Sequence, residues 1–224
     1  MTSENRLYLV SAGAAIFLAL AGCSSKSNPS APLVVIDPRG AKAASGFEAS
    51  VEGWTISGDA QASSTVPDYN GTGGNPDGLI GAEDDVTGGT WYFMAPSKYL
   101  GDDGASYGKF LEYDLKTNDV SNPFDNYDVM IFGSSNNVLV YHFPVYPVAN
   151  QWLSHKIPLD TTDAGWAIVD TLTGYPSDFS TLAKPTQAEF RAVLSHVTKL
   201  ALRGEFNSGP DHGSLDNVRF GAVN

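Results

Sequence analysis

The chain has 224 residues, of which 42% are apolar and 11% aromatic, enough for one substantial core or two small ones. Thirteen basic against 25 acidic side chains give a formal net charge of −12. Such a chain is repelled by phosphate backbones, which argues against nucleic acid as a partner.

The first element is apolar. Leu7 to Leu20 is nearly unbroken hydrophobic sequence, the length of a signal-peptide core and short for a membrane span. It runs into Leu20-Ala21-Gly22-Cys23, and Cys23 is the single cysteine of the chain. This stretch resembles the lipobox of bacterial lipoprotein precursors, although Arg6 is the only basic residue ahead of it and Glu4 opposes it. The resemblance implies that residues 1–22 are a signal peptide. It also implies that Cys23 carries palmitate-type acyl chains and that residues 23–45 form a polar tether to the membrane. Ser24, where an Asp would retain the protein at the inner membrane, implies an outer-membrane lipoprotein of the cell envelope, periplasmic or surface-exposed. With Cys23 lipidated, no disulfide is available to the mature chain.

Beyond the tether, glycine and proline recur at short intervals and no second composition shift interrupts residues 46–224. "KFLEYDL" alternates Leu111, Tyr113 and Leu115 against Glu112 and Asp114. "YDVMIFG" and "NVLVYHFPVYPV" are rich in β-branched and aromatic residues, and "VTKLALRGEF" sets Leu200 and Leu202 opposite Lys199, Ala201 and Arg203. The spacing predicts an all-β sandwich. One helix is expected near residues 186–197, opened by a Thr186–Glu189 capping box. Its buried stripe is Phe190, Val193, Leu194 and Val197, with Arg191 and His196 toward solvent.

The ordered pieces "GNPDGLIGAEDD", "GGTWYFMAPSKYLGDDGASYGKFLEYDL", "VLSHVTKLALRGEF" and "GSLDNVRF" resemble the laminin IV (laminin B) domain. Together with "GFEASVEGWTISGDA" they span Gly46 to Phe220, nearly all of the expected mature chain. The resemblance implies a jelly-roll-like β-sandwich akin to galactose-binding and carbohydrate-binding modules, and it transfers no catalytic residues. The cysteine-rich modules that flank the domain in laminins have no counterpart here.

Several residues invite a functional role. Asp216 shares period-two parity with Val218 and Phe220 and is expected to face inward, where a carboxylate must be compensated. The fold resemblance implies a structural Ca²⁺ held by Glu48 and Asp216, with Asp84 as a further oxygen donor. The alternative is hydrogen bonding of Asp216 to the N–H groups of a neighbouring turn, or pairing with Arg203 or Arg219. Of Glu83, Asp84 and Asp85, no more than two can share a face of a strand, and a solvated turn is the plainer reading. Tyr69, Trp91, Tyr141 and Trp152 are candidate sugar-stacking rings, each weighed against simple packing; of Trp91, Tyr92 and Phe93, two are expected in the core. No G-x-S-x-G elbow, free thiol or zinc-type histidine spacing is present. The expected function is therefore a non-catalytic envelope lipoprotein that binds a glycan or a protein partner. The alternatives are a structural lipoprotein without small ligand, or a glycan-active hydrolase using the acids of "GAEDD".

Overall fold

The computed structural model describes residues 40–61, 64–84 and 88–224. The signal peptide, Cys23 and Asp85 lie outside the described residues. In chain order the first strands are β1 (Ala43–Ser45), β2 (Thr55–Ser57), β3 (Asp68–Gly74), β4 (Asp77–Glu83), β5 (Tyr92–Met94) and β6 (Phe110–Thr117). They are followed by β7 (Val129–Phe132), β8 (Val138–Tyr141), β9 (Leu153–Pro158), β10 (Trp166–Val169), helix α1 (Gln187–Leu194), β11 (Lys199–Arg203) and β12 (His212–Ala222).

Two antiparallel sheets result. The first has the order β3-β4-β12-β6-β9 with β1 also on β12; the second runs β10-β8-β7-β11-β5-β2. Strand β12 organises the first sheet. On one side it pairs with β4 through His212–Leu215 and with β1 through Val218–Phe220, and on the other with β6 over most of its length. The sheet thus takes in Ala43–Ser45, three residues expected from sequence to lie in the tether.

The alternation read in "KFLEYDL" holds. Leu111, Tyr113 and Leu115 enter the main core with Leu215, Val218 and Phe220 of β12. From the second sheet the same core receives Phe93, Ile131, Leu139, Trp166, Leu200 and Leu202. Burying apolar side chains between two such faces is the main force holding the sheets together, at about 25 cal/mol per Å² removed from water. Trp91 is locked among them because Gly204 and Gly213 leave room for its ring; a Cβ at Gly204 would overlap the indole.

Helix α1 is capped as expected: the Thr186 hydroxyl accepts from the Glu189 N–H and the Glu189 carboxylate answers at the Thr186 N–H. Phe190, Val193 and Leu194 are buried. The helix is shorter than the sequence suggests. Val197 is buried outside it and exchanges backbone hydrogen bonds of 2.8 Å with Gly101.

One expectation is corrected. Asp216 lies opposite Asp114, whereas Arg219 lies opposite Glu112, so β12 spends three residues where β6 spends two. The extra residue is a β-bulge at Asn217, whose φ of 51° is tolerated by asparagine better than by most residues. The bulge breaks period two. Asp216 therefore falls on the outer face with Asp114, and Val218 and Phe220 return to the core.

Candidate functional site

The outer face of the first sheet carries the polar half of each alternating strand. Glu112 and Asp114 come from β6, Lys156 from β9, and Arg219 from β12. Over them folds the β3–β4 hairpin, whose Asn75 and Pro76 wall a groove of about 410 Å³. Lys156 Nζ stands 3.4 Å from Glu112 Oε1. Trp152, just ahead of β9, is tied to the same hairpin by its indole N–H, which donates to the Gly73 carbonyl at 3.2 Å. The Lys116 ammonium lies 4.6 Å from its ring centre.

Asp216 fixes the hairpin in place. It is fully buried beneath the hairpin, with Oδ2 accepting from Asn75 N and Oδ1 from Asn217 N, both at 2.6 Å. The Asn217 amide donates to Asp114 Oδ2 at 2.9 Å and to the Asn75 carbonyl. Asn75 Nδ2 donates to Asp114 at 3.3 Å. Gly74 is required at the approach, since a Cβ there would come within 2.7 Å of Asp216 Oδ2. Desolvation pushes Asp216 up to about 6; the Asn75 and Asn217 amides oppose that rise, and Asp114 and Glu48 add to it.

The Asp216 and Asp114 carboxylates are the kind of oxygen donor that Ca²⁺ prefers. Both Asp216 oxygens already accept N–H bonds, Glu48 is exposed, and among the described residues no three acidic or histidine side chains are placed to hold a metal. The turn that bonds Asp216 is the compensation, while Arg203 is engaged elsewhere, 3.4 Å from Asp128.

The four candidate rings separate. Trp91 is wholly buried and Tyr141 is 7% exposed, packed edge-on against Trp166 and Phe143, so neither is a ligand platform. Both belong to the core because Trp91 and Tyr141 sit on the inward parity of their segments. Tyr69 is 40% exposed, its hydroxyl donating to the Glu48 carbonyl, and Trp152 is half-buried. These two remain at the surface. Asp84 is buried rather than in a solvated turn, and Glu83 beside it is exposed and 2.8 Å from His212 Nδ1.

The outer face of the second sheet is covered by the chain itself. Tyr92, Tyr127, Met130, Val138, Val140, Ala167 and Ala201 form a second apolar cluster, and Tyr175, Phe179 and Leu182 pack on it from residues 170–184. Tyr127 donates to the Gly174 carbonyl at 3.1 Å, and the His142 ring lies 5.4 Å from Tyr175 and 5.3 Å from Phe179. Sequence reasoning missed this cover. Its two aromatic anchors sit in a polar, turn-rich stretch with no strand or helix period to reveal them.

The family model for laminin B (domain IV) matches residues 92–223. Laminin subunit gamma-1 of Xenopus tropicalis is 27% identical over 175 residues, 77% of this chain, and the match spans about a tenth (10%) of that much longer protein. Among solved structures, the L4b domain of human laminin alpha-2 superposes with a TM-score of 0.57 at 16% identity, covering 76% of this chain and 90% of that one. A family 30 carbohydrate-binding module gives a TM-score of 0.44 at 14% identity, covering 75% and 80%.

Asp216→Asn tests the clasp. The substitution exchanges one acceptor oxygen for an NH₂ group that must face an N–H, and is expected to cost about 1–3 kcal/mol at pH 7 by urea denaturation. Because the folded-state pKa of Asp216 is raised from 3.8 to about 6, its contribution to stability falls as pH climbs between those values and is level above them. The Asn variant should lack that slope. Calcium or a chelator should leave the wild-type midpoint unchanged. A variant as stable as wild type, or a calcium-dependent midpoint, would contradict the hydrogen-bonded clasp.

Proposed function

The chain belongs to the laminin B (domain IV) family, and from that premise we propose that it is a non-catalytic binding module whose groove on the first sheet holds a glycan. The observation that carries this reading is the groove's lining. Carboxylates of Glu112 and Asp114 and cations of Lys156 and Arg219 share one sheet face, and the Asn75 amide overhangs them from the hairpin. Vicinal sugar hydroxyls both donate and accept, so they match a surface that offers both at strand spacing. Trp152 supplies a partly exposed ring beside the hairpin. The acids in the groove are held as acceptors by basic or amide neighbours, Lys156 at Glu112 and the Asn75 and Asn217 amides at Asp114, which supports a binding surface.

A protein partner is the second reading, favoured by an apolar surface between β8 and β9. There Val145 is 74% exposed, Val148 58% and Leu153 37%, around a pocket of about 340 Å³ that also includes Tyr146. In either case the Leu20–Cys23 sequence supports a module tethered at a membrane.

A glycan array probed with the protein tests the first reading. Asp114→Ala combined with Arg219→Ala is expected to lower binding to any positive glycan at least tenfold (about 1.4 kcal/mol), with the fold retained by circular dichroism. No glycan bound across plant, animal and bacterial sets would sink it. Loss of binding in Val145→Asp, Val148→Asp but not in the groove variant would move the site to the apolar surface. Cys23→Ala should shift the protein from the membrane to the soluble fraction, and an unchanged membrane share would remove the anchor.

A further inference from the structure

Four carboxylates that the groove does not use gather at the other end of the first sheet. Asp84 ends β4 and is 2% exposed; Glu205, after β11, is 5% exposed; Asp211, before β12, is 1% exposed. Asp59, after β2, joins them, and each of the other three acts electrostatically on Glu205. We propose that this group is a proton-operated clasp, tying Asp84 at the end of β4 and Trp91 ahead of β5 to the β11–β12 connection while Glu205 holds a proton and loosening as that proton leaves.

The backbone shows what the clasp joins. Asp84 N donates to the Asp211 carbonyl at 2.8 Å, and Gly204 N donates to the Trp91 carbonyl at 3.1 Å. The Glu205 carboxylate accepts the Trp91 N–H at 3.1 Å, and Asp59 accepts the Gly89 N–H. Asp211 Oδ2 accepts from Phe206 N and Asn207 N at 3.1 and 3.3 Å.

Two further facts point to a proton. Asp211 Oδ1 is buried without a hydrogen-bond partner, and so is Asp59 Oδ1. A buried carboxylate oxygen left in that state lacks a donor, and a neutral neighbouring carboxyl supplies an O–H where an ionised one cannot. Among the described residues, the basic group nearest in sequence to Glu205 is Arg203, and it is engaged elsewhere. The Arg203 guanidinium turns away to the Phe124 carbonyl and Asp128, giving only its Nε–H to the Glu205 carbonyl, and Tyr92 is a buried phenol. Among the described residues no three acidic or histidine groups are arranged around a common metal centre. Burial and the three neighbouring acids push Glu205 up to about 8 against the Trp91 amide, and burial with Asp84 pushes Asp211 up to about 6 against the Phe206 and Asn207 amides and the Thr117 hydroxyl.

Between the ordinary value of 4.5 and about 8 the folded chain holds the Glu205 proton and the unfolded chain does not, so stability falls as pH rises through that window. The test uses the full chain, following stability and the Trp91 backbone amide resonance from pH 5 to pH 9. In the wild type the amide should titrate with a midpoint near 8, and stability should fall across the window. Glu205→Gln, a neutral isostere, should remove the amide titration and flatten the fall. A variant that keeps the wild-type slope overturns the proposal. So does stabilisation at pH 8 by calcium or magnesium that the variant loses, which would make the cluster a cation site. Should the variant fail to fold, the ¹³C carboxyl resonance of Glu205 in the wild type decides the matter: a midpoint above about 6.5 supports the clasp, and one below it does not.

Discussion

A carboxylate buried beneath a hairpin organises this molecule's outer surface. Asp216 is removed from water and made tolerable by two amide donors, one from its own strand and one from a hairpin 141 positions away in sequence. A carboxylate in such surroundings needs its donors, so the Asn75 turn has little freedom to leave. The same contact closes the hairpin over β12 and brings Asn75 and Asn217 onto Asp114. It sets one wall of the polar groove. The bulge at Asn217 makes this possible by turning Asp216 outward without disturbing Leu215 or Val218 in the core.

The two faces of the sandwich are used differently. Residues 170–184 lie across the second sheet with Tyr175, Phe179 and Leu182 set into apolar neighbours, so that face is filled by the protein's own chain. The first sheet presents charged and amide groups instead. A ligand that needs hydrogen bonds meets them there, while the exposed valines of the β8–β9 connection offer a separate, apolar contact. Carboxylates are handled in two ways within one fold. At Asp216 backbone amides are the donors; at the Glu205 cluster Asp211 Oδ1 and Asp59 Oδ1 have none, and the proposed proton makes up the difference.

Much of the architecture could be read from sequence. The alternation in "KFLEYDL" named both the core residues and the outward Glu112 and Asp114, and the Thr186–Glu189 pair marked the helix start. Period two failed at Asp216 because a single inserted residue inverts parity, and Asn217 after Asp216 was the only local hint. Trp91 and Tyr141 attracted a binding role through residue type, yet the glycines that make room for Trp91 lie more than 100 positions away at Gly204 and Gly213. The Asp59, Asp84, Glu205 and Asp211 grouping had no sequence signature at all, since its members come from separate connections that only the closed sandwich brings together.

Amide hydrogen exchange at Asn75 tests the central contact most directly. An Asn75 N–H held by buried Asp216 should exchange as slowly as the β12 amides of Leu215 and Val218, although it sits in a hairpin turn. Exchange at the rate of an open turn, with β12 still protected, would show that the hairpin is not fastened to the sheet and that the groove has no fixed wall.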